Sequence, residues 1–145
     1  MRSFSYPVTL IPERQGGYTV RFRDLSEAIT HGKDRREALE QAADCLEEAI
    51  ANRIVTRMEI PVPSAARRSN ALVPVPAPMA AKAALYLAMK ETDVSNTVLA
   101  RRLGCDEKEV RRMLNPRHPT KLPRIQAALQ VLGRRLIIGM EERAA

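Results

Sequence analysis

The chain has 145 residues, of which 45% are hydrophobic, enough for one domain or two small ones with buried cores. No apolar run approaches the ~18 residues that a membrane span needs, and the start, Met1 to Leu10, lacks the apolar segment of a signal peptide. Two well-separated cysteines, Cys45 and Cys105, make no metal-ligand spacing with His31 or His118, so a reduced, cytoplasmic protein without metal or cofactor is expected.

The net charge of +7 is unevenly spread. Residues 1–77 hold 11 Lys and Arg against 10 Asp and Glu; residues 78–145 hold 13 against 7. A positive field confined to the second half suits phosphate binding, where each neutralised phosphate releases counterions. With aromatics at 3% and no Trp, the stacking platforms of single-stranded RNA readers are missing.

In chain order, Phe4, Tyr6, Val8 and Leu10 alternate as a strand does. A turn at Glu13–Gly17 follows, and Tyr18, Val20 and Phe22 alternate again, which makes a β-hairpin. Residues 28–32 read as a third, very short strand ended by Gly32. Asp34, with Glu37 three residues on, starts a helix whose apolar stripe is Ala38, Leu39, Ala42, Ala43, Leu46, Ala49 and Ile50. Its outer face carries Arg35, Arg36, Glu40, Asp44, Glu47 and Glu48. Such a helix must cover something, and the hairpin is the available partner. Residues 60–78 hold five of the ten prolines. Proline donates no ladder hydrogen bond, so Leu72–Pro76 can return only as an edge strand. A helix from about Met79 to Lys90 follows, with the domain boundary placed near Pro78.

Val94 to Asn115 reads as two short helices around a tight turn. Ser95 and Asp106 are N-caps, Glu109 completes a capping-box spacing, and Gly104 sits where a helix ends with positive φ. Leu99, Ala100 and Leu103 face inward from the first helix and Val110, Met113 and Leu114 from the second. Lys108, Arg111 and Arg112 are left outside. This is the pattern of a helix-turn-helix, whose second helix enters the DNA major groove. An ordinary helical hairpin with a solvated charged face is the other reading of the same residues. On the DNA reading, Lys108, Arg111 and Arg112 face base edges, while Asn96, Thr97, Arg117 and Lys121 contact phosphates. Arg101 and Arg102 belong to a solvated face.

Thr120 is positioned to cap a last helix, Lys121 to Leu132, with Leu122, Ile125, Ala128, Leu129 and Leu132 inward and Gly133 at its end. Residues 134–140 then read as a short strand. An unpaired strand edge finds another chain or packs on its own protomer; in the first case Leu136, Ile137 and Ile138 mediate dimerisation.

Gly16-Gly17-Tyr18-Thr19-Val20-Arg21-Phe22-Arg23-Asp24-Leu25, then Thr30-His31-Gly32, then Glu37-Ala38-Leu39 with Ala42, follow one another in an order that resembles the HicB family of bacterial antitoxins, and the resemblance covers nearly the whole chain. Ile60-Pro61-Val62-Pro63-Ser64 and Lys82, Leu85 and Tyr86 also match family segments. Arg23 stands where the family usually has proline, and Ser26-Glu27 replaces a Pro-Gly. The resemblance implies an α+β protein with two parts. Residues 1–77 would be a partial RNase H-like sheet with one covering helix, which neutralises a HicA-like mRNA-cleaving toxin. Residues 78–145 would be an all-α helix-turn-helix domain ending in a short strand, which binds the operon's own double-stranded operator. It also implies a homodimer or higher oligomer and no membrane. The acidic residues Glu40, Asp44, Glu47 and Glu48 are the candidates for facing the toxin.

Catalysis by the first domain is not expected. Two-metal phosphodiester cleavage needs carboxylates converging on ions about 4 Å apart, whereas Asp24, Asp34 and Asp44 fall on a loop, a cap and a polar helix face. The alternative function is a stand-alone helix-turn-helix regulator whose N-terminal domain senses a small ligand; no pocket motif in the sequence supports it.

Overall fold

The computed structural model describes residues 1–143. They form an α+β chain that divides into two compact units, Met1–Ala83 and the residues from Ala84 on.

In the first unit four antiparallel strands make one sheet: β1 (Ser5–Pro12), β2 (Tyr18–Phe22), β3 (Ile29–Gly32) and β4 (Ala71–Pro74), in the order β3-β2-β1-β4. The β1–β2 connection turns through Gly16 and Gly17, both at positive φ (94° and 82°), where a side chain would be strained. The register sets Val8 opposite Phe22, Tyr6 opposite Val73, and Val20 opposite Leu10 and Thr30. Tyr6, Val8, Val20, Phe22 and Val73 therefore share one face, and all are buried. The other face carries Thr9, Arg21, Ile29, His31 and Leu72, all exposed.

Helix α1 (Arg35–Val55) covers the buried face. Asp34 caps it, its Oδ1 accepting from the Glu37 amide at 2.8 Å. Glu37 reaches back to the Lys33 amide (2.6 Å), one residue before the position a strict capping box would choose. The buried row is Ala38, Ala42, Leu46, Ala49, Ile50, Ala51 and Ile54; the expected Leu39 and Ala43 sit half-buried at its margin. Alanines let α1 lie close to the sheet. At Gly32 the approach is so tight that an added Cβ would stand 2.2 Å from the Ala38 nitrogen.

The proline-rich segment is pinned by side chains rather than by a ladder. Tyr6 donates its hydroxyl to the Pro61 carbonyl at 2.7 Å, and burial, with the Asp24 carboxylate nearby, pushes that phenol up to about 12. Arg53 pairs with Glu27 (2.7 Å) and donates to the Glu59 carbonyl (2.5 Å). Asp24 Oδ2 accepts from both the amide and the hydroxyl of Ser64 (2.9 and 3.1 Å). Beyond it β4 returns to the sheet edge, where its proline needs no donor.

Helix α2 (Ala77–Thr92) carries the chain on. Its Lys82 is only 4% exposed, and burial lowers its pKa to about 8.

The second unit holds the end of α2 from Ala84 on, with α3 (Asn96–Leu103), α4 (Glu107–Leu114) and α5 (Leu122–Val131). Its buried residues are Leu85, Tyr86, Ala88 and Met89 of α2 together with Leu99, Ala100, Val110, Met113, Ile125, Ala128, Leu129 and Leu132. Three expectations change here. Thr120 does not cap α5: its hydroxyl donates to the Arg112 carbonyl at 3.2 Å, and Lys121 holds the N-cap position without a side-chain bond. Leu122 is exposed (39%) rather than inward. Residues 134–140 form no strand in the single chain, because no strand among the described residues pairs with them; Ile137 and Ile138 are exposed and Leu136 half-buried.

Candidate nucleic-acid and partner interfaces

The two helices of the candidate DNA-binding motif are built from their ends inward. Ser95 Oγ accepts from the Val98 amide (3.2 Å) and starts α3. Gly104, at φ 69°, ends it in the left-handed conformation, and the Cys105 amide closes back onto the Ala100 carbonyl at 3.0 Å. Asp106 Oδ1 accepts from the Glu109 amide at 2.9 Å and starts α4. The apolar interior of the pair comes from Leu99 and Val110, both fully buried.

Lys108, Arg111 and Arg112 are all exposed. At 100° per residue they lie within about a third of the α4 circumference, on the side away from Val110 and Met113. Arg111 Nε lies 3.9 Å from Glu107 Oε1, one turn back. The Thr120–Arg112 bond folds the 115–120 loop onto the C-terminal end of α4, which brings the exposed Arg117 beside the same helix end. Asn115 Oδ1 holds that turn by accepting from the Arg117 amide at 3.0 Å. Lys121 is exposed and next in line, while Asn96, first in α3, is half-buried.

Two contacts were not readable from the sequence. Glu109 does not reach back to complete a capping box; its side chain pairs with Arg124 of α5, tying α4 to the last helix. Thr97 donates its hydroxyl to Glu107 Oε2 at 3.3 Å, joining the starts of α3 and α4. That commits the proton a phosphate oxygen would otherwise accept. The Glu107–Arg111 spacing is a sequence signal for a helical pair; the Thr97–Glu107 bond spans ten residues across a turn and has none.

In the first unit Glu40, Asp44 and Glu48 are exposed and Glu47 is half-buried, opposite the buried row of α1. Their i, i+4 spacing stacks like charges, which costs a helix a few tenths of a kcal/mol per pair. Of the carboxylates weighed for catalysis, Asp24 binds Ser64 and Asp34 caps α1, while Asp44 stands exposed on the helix face. Among the described residues no group of three or more His, Cys, Asp or Glu could hold a metal ion, and no helix is long and apolar enough to cross a membrane.

Residues 5–84 match a family model described as the HicB-like antitoxin of bacterial toxin–antitoxin systems. The chain belongs to the HicB-like antitoxin family. Similarity to named members extends beyond residue 84 into the helical unit. A protein named Antitoxin HicB from Escherichia coli is 37% identical over 135 residues, 93% of this chain and 98% of that protein. Antitoxin HicB 2 from Photorhabdus laumondii is 40% identical over 135 residues, covering 93% of this chain and 95% of the relative. Antitoxin HicB from Pseudomonas fluorescens is 33% identical over 132 residues, 90% of each chain. The similarity to these HicB antitoxins thus runs through α3, α4 and α5 as well as the sheet.

Proposed function

We propose that the chain is a cytoplasmic, non-enzymatic antitoxin that binds and blocks a HicA-like mRNA-cleaving toxin and represses its own operon. In this reading the first unit takes the toxin and the second binds operator DNA as a homodimer or higher oligomer. One observation carries it: similarity to HicB antitoxins over nearly the whole chain includes a capped helix pair whose second member exposes Lys108, Arg111 and Arg112.

Two α4 helices of a dimer would enter successive major grooves about 34 Å apart. Arg111 and Arg112 would face base edges, since Arg pairs bidentately with guanine, and Lys108 would join them. Asn96, Arg117 and Lys121 would sit on phosphates, positioning without specifying. Thr97 belongs with them by place, though its proton goes to Glu107. On α1, the stacked carboxylates of Glu40, Asp44, Glu47 and Glu48 favour a basic partner, because a cation beside them relieves their mutual repulsion. The exposed Ile137 and Ile138, with Leu136, supply apolar surface for a second copy.

The test uses the full chain with the product of a short reading frame for a basic protein sought next to its gene. The double substitution Arg111→Ala with Arg112→Ala is expected to abolish binding to promoter DNA in a mobility-shift assay while co-purification with the toxin persists. Charge reversal at Glu40, Asp44 and Glu48 is expected to do the opposite. Normal promoter binding by the arginine double variant refutes the α4 assignment, and full toxin binding by the reversal variant removes α1 from the toxin interface.

A further inference from the structure

We infer that Glu107 reads a base: its carboxylate accepts a hydrogen bond from the exocyclic amino group of a cytosine in the major groove, with Thr97 as its positioning residue. The inference rests on the DNA-binding reading above and adds a specificity-determining contact to it.

Three acids stand at the start of α4, and two of them are committed to the cap and to α5. Asp106 accepts from the Glu109 amide, and Glu109 is tied inward to Arg124. Glu107, the first residue of the helix, keeps its side chain 47% exposed. Residues at the N-terminal end of a recognition helix are the ones that reach base edges. The carboxylate is also aimed. Thr97 Oγ1 donates to Oε2 at 3.3 Å from α3, and Arg111 Nε stands 3.9 Å from Oε1 within α4. Each oxygen is thus restrained from a different helix. Two such contacts leave lone pairs unused, because an ionised carboxylate offers about four acceptor sites.

Electrostatics narrows what those lone pairs can meet. A carboxylate 4 Å from a phosphate is repelled by about 4 kcal/mol at a surface-like dielectric. Beside a duplex it is tolerated where it faces an amino donor on a base edge, and Glu pairs there with the cytosine N4 amino group. Arg111, one turn further on, supplies the complementary donors for guanine O6 and N7.

The experiment selects double-stranded DNA from a randomised library with the full-length chain and compares base preference at every position. The wild type is expected to select cytosine at one position of each half-site. Glu107→Ala is expected to keep duplex binding but lose that preference, on the order of ten- to a hundredfold, with other positions unchanged. Glu107→Gln is expected to shift it toward adenine, which Gln reads bidentately. Thr97→Val should blunt the same position alone, and Thr97→Ser should restore it; a purely structural role for Thr97 would weaken all positions together. A Glu107→Ala profile identical to the wild type, or a loss spread evenly over all positions, overturns the inference and leaves the DNA-binding reading standing. A wild type that selects no duplex sequence overturns that reading itself.

Discussion

Replacing Gly32 by alanine is the sharpest single test of how α1 seats on the sheet. The added Cβ would lie 2.2 Å from the Ala38 nitrogen, 2.4 Å from its Cα and 2.7 Å from the Glu37 carbonyl carbon, whereas ordinary contact begins at 3.4 Å. All three atoms are backbone, so no side chain can turn aside. The third strand and the helix must separate by roughly 1.2 Å, the difference between the closest of these distances and ordinary contact. A gap of only about 0.5–1 Å already forfeits a quarter to a half of the dispersion energy of the atoms that face each other, and this one is wider. The affected contacts include those of the fully buried Ala38 and Ala42. Overpacking that side chains can absorb costs about 1–3 kcal/mol; here we expect at least about 3 kcal/mol, a large share of the 5–15 kcal/mol that holds a typical domain. The assay is urea unfolding of the full chain followed by far-UV circular dichroism, where such a loss lowers the midpoint by at least about 1 M. Gly16→Ala is the control: its φ is 94° but nothing lies within 4 Å, so only backbone strain of about 1–2 kcal/mol applies. A Gly32→Ala midpoint no lower than that of Gly16→Ala refutes the close seating of α1 on β3.

Asp106→Ala removes the α4 cap and is expected to lower stability by about 1 kcal/mol, with Asp106→Asn largely neutral, as read by the urea midpoint. Arg57 occupies the left-handed region (φ 59°) just beyond α1, so Arg57→Gly is expected to raise the midpoint, by about 1 kcal/mol or less. The Arg53 guanidinium beside Glu27 holds that carboxyl below its usual range. Its folded pKa is the lower one, so its contribution is present above about pH 4.5 and fades as pH falls through the folded value. Glu27→Gln should therefore lose stability at neutral pH and show a shallower acid transition; an acid limb identical to the wild type would remove this pair from the pH response.

What the sequence disclosed was local. Ser95, Asp106 and Asp34 each bond to an amide three residues ahead, and Gly104 needs only its own φ. The alternation of Tyr6, Val8, Val20 and Phe22 likewise required nothing beyond the pleat. What stayed hidden depends on partners distant in the chain. Glu109 sits at a capping-box spacing, yet Arg124 of α5 claims it. Thr120 precedes a helix as a cap should, yet its hydroxyl goes to the Arg112 carbonyl. Residues 134–140 have the composition of a strand, but a strand needs a ladder, and among the described residues no second edge pairs with them. The candidate interface divides in the same way. The basic residues were visible as the outside of a helix, whereas the restraint on the Glu107 carboxylate arises only when α3 brings Thr97 to it.

That division explains how α4 can present a basic face at all. It has eight residues and most of them are charged; isolated helices shorter than about 12–15 residues are marginal in water. Its stability must therefore come from packing and from ties to its surroundings. Val110 and Met113 anchor it to the core. Thr97 holds Glu107 at its start, Arg124 holds Glu109 on its inner side, and Thr120 takes the Arg112 carbonyl near its end. The three ties come from three different elements, and each leaves Lys108, Arg111 and Arg112 facing outward. A side chain can be aimed at a base edge only if its backbone is fixed beforehand, because ordering a loose helix at binding would consume interaction energy that otherwise discriminates between sequences. On the proposed DNA-binding reading, cutting the Arg124 or the Thr120 tie should therefore weaken sequence discrimination at all positions more than it weakens the salt-dependent, sequence-independent attraction that the exposed charges would exert wherever the helix points.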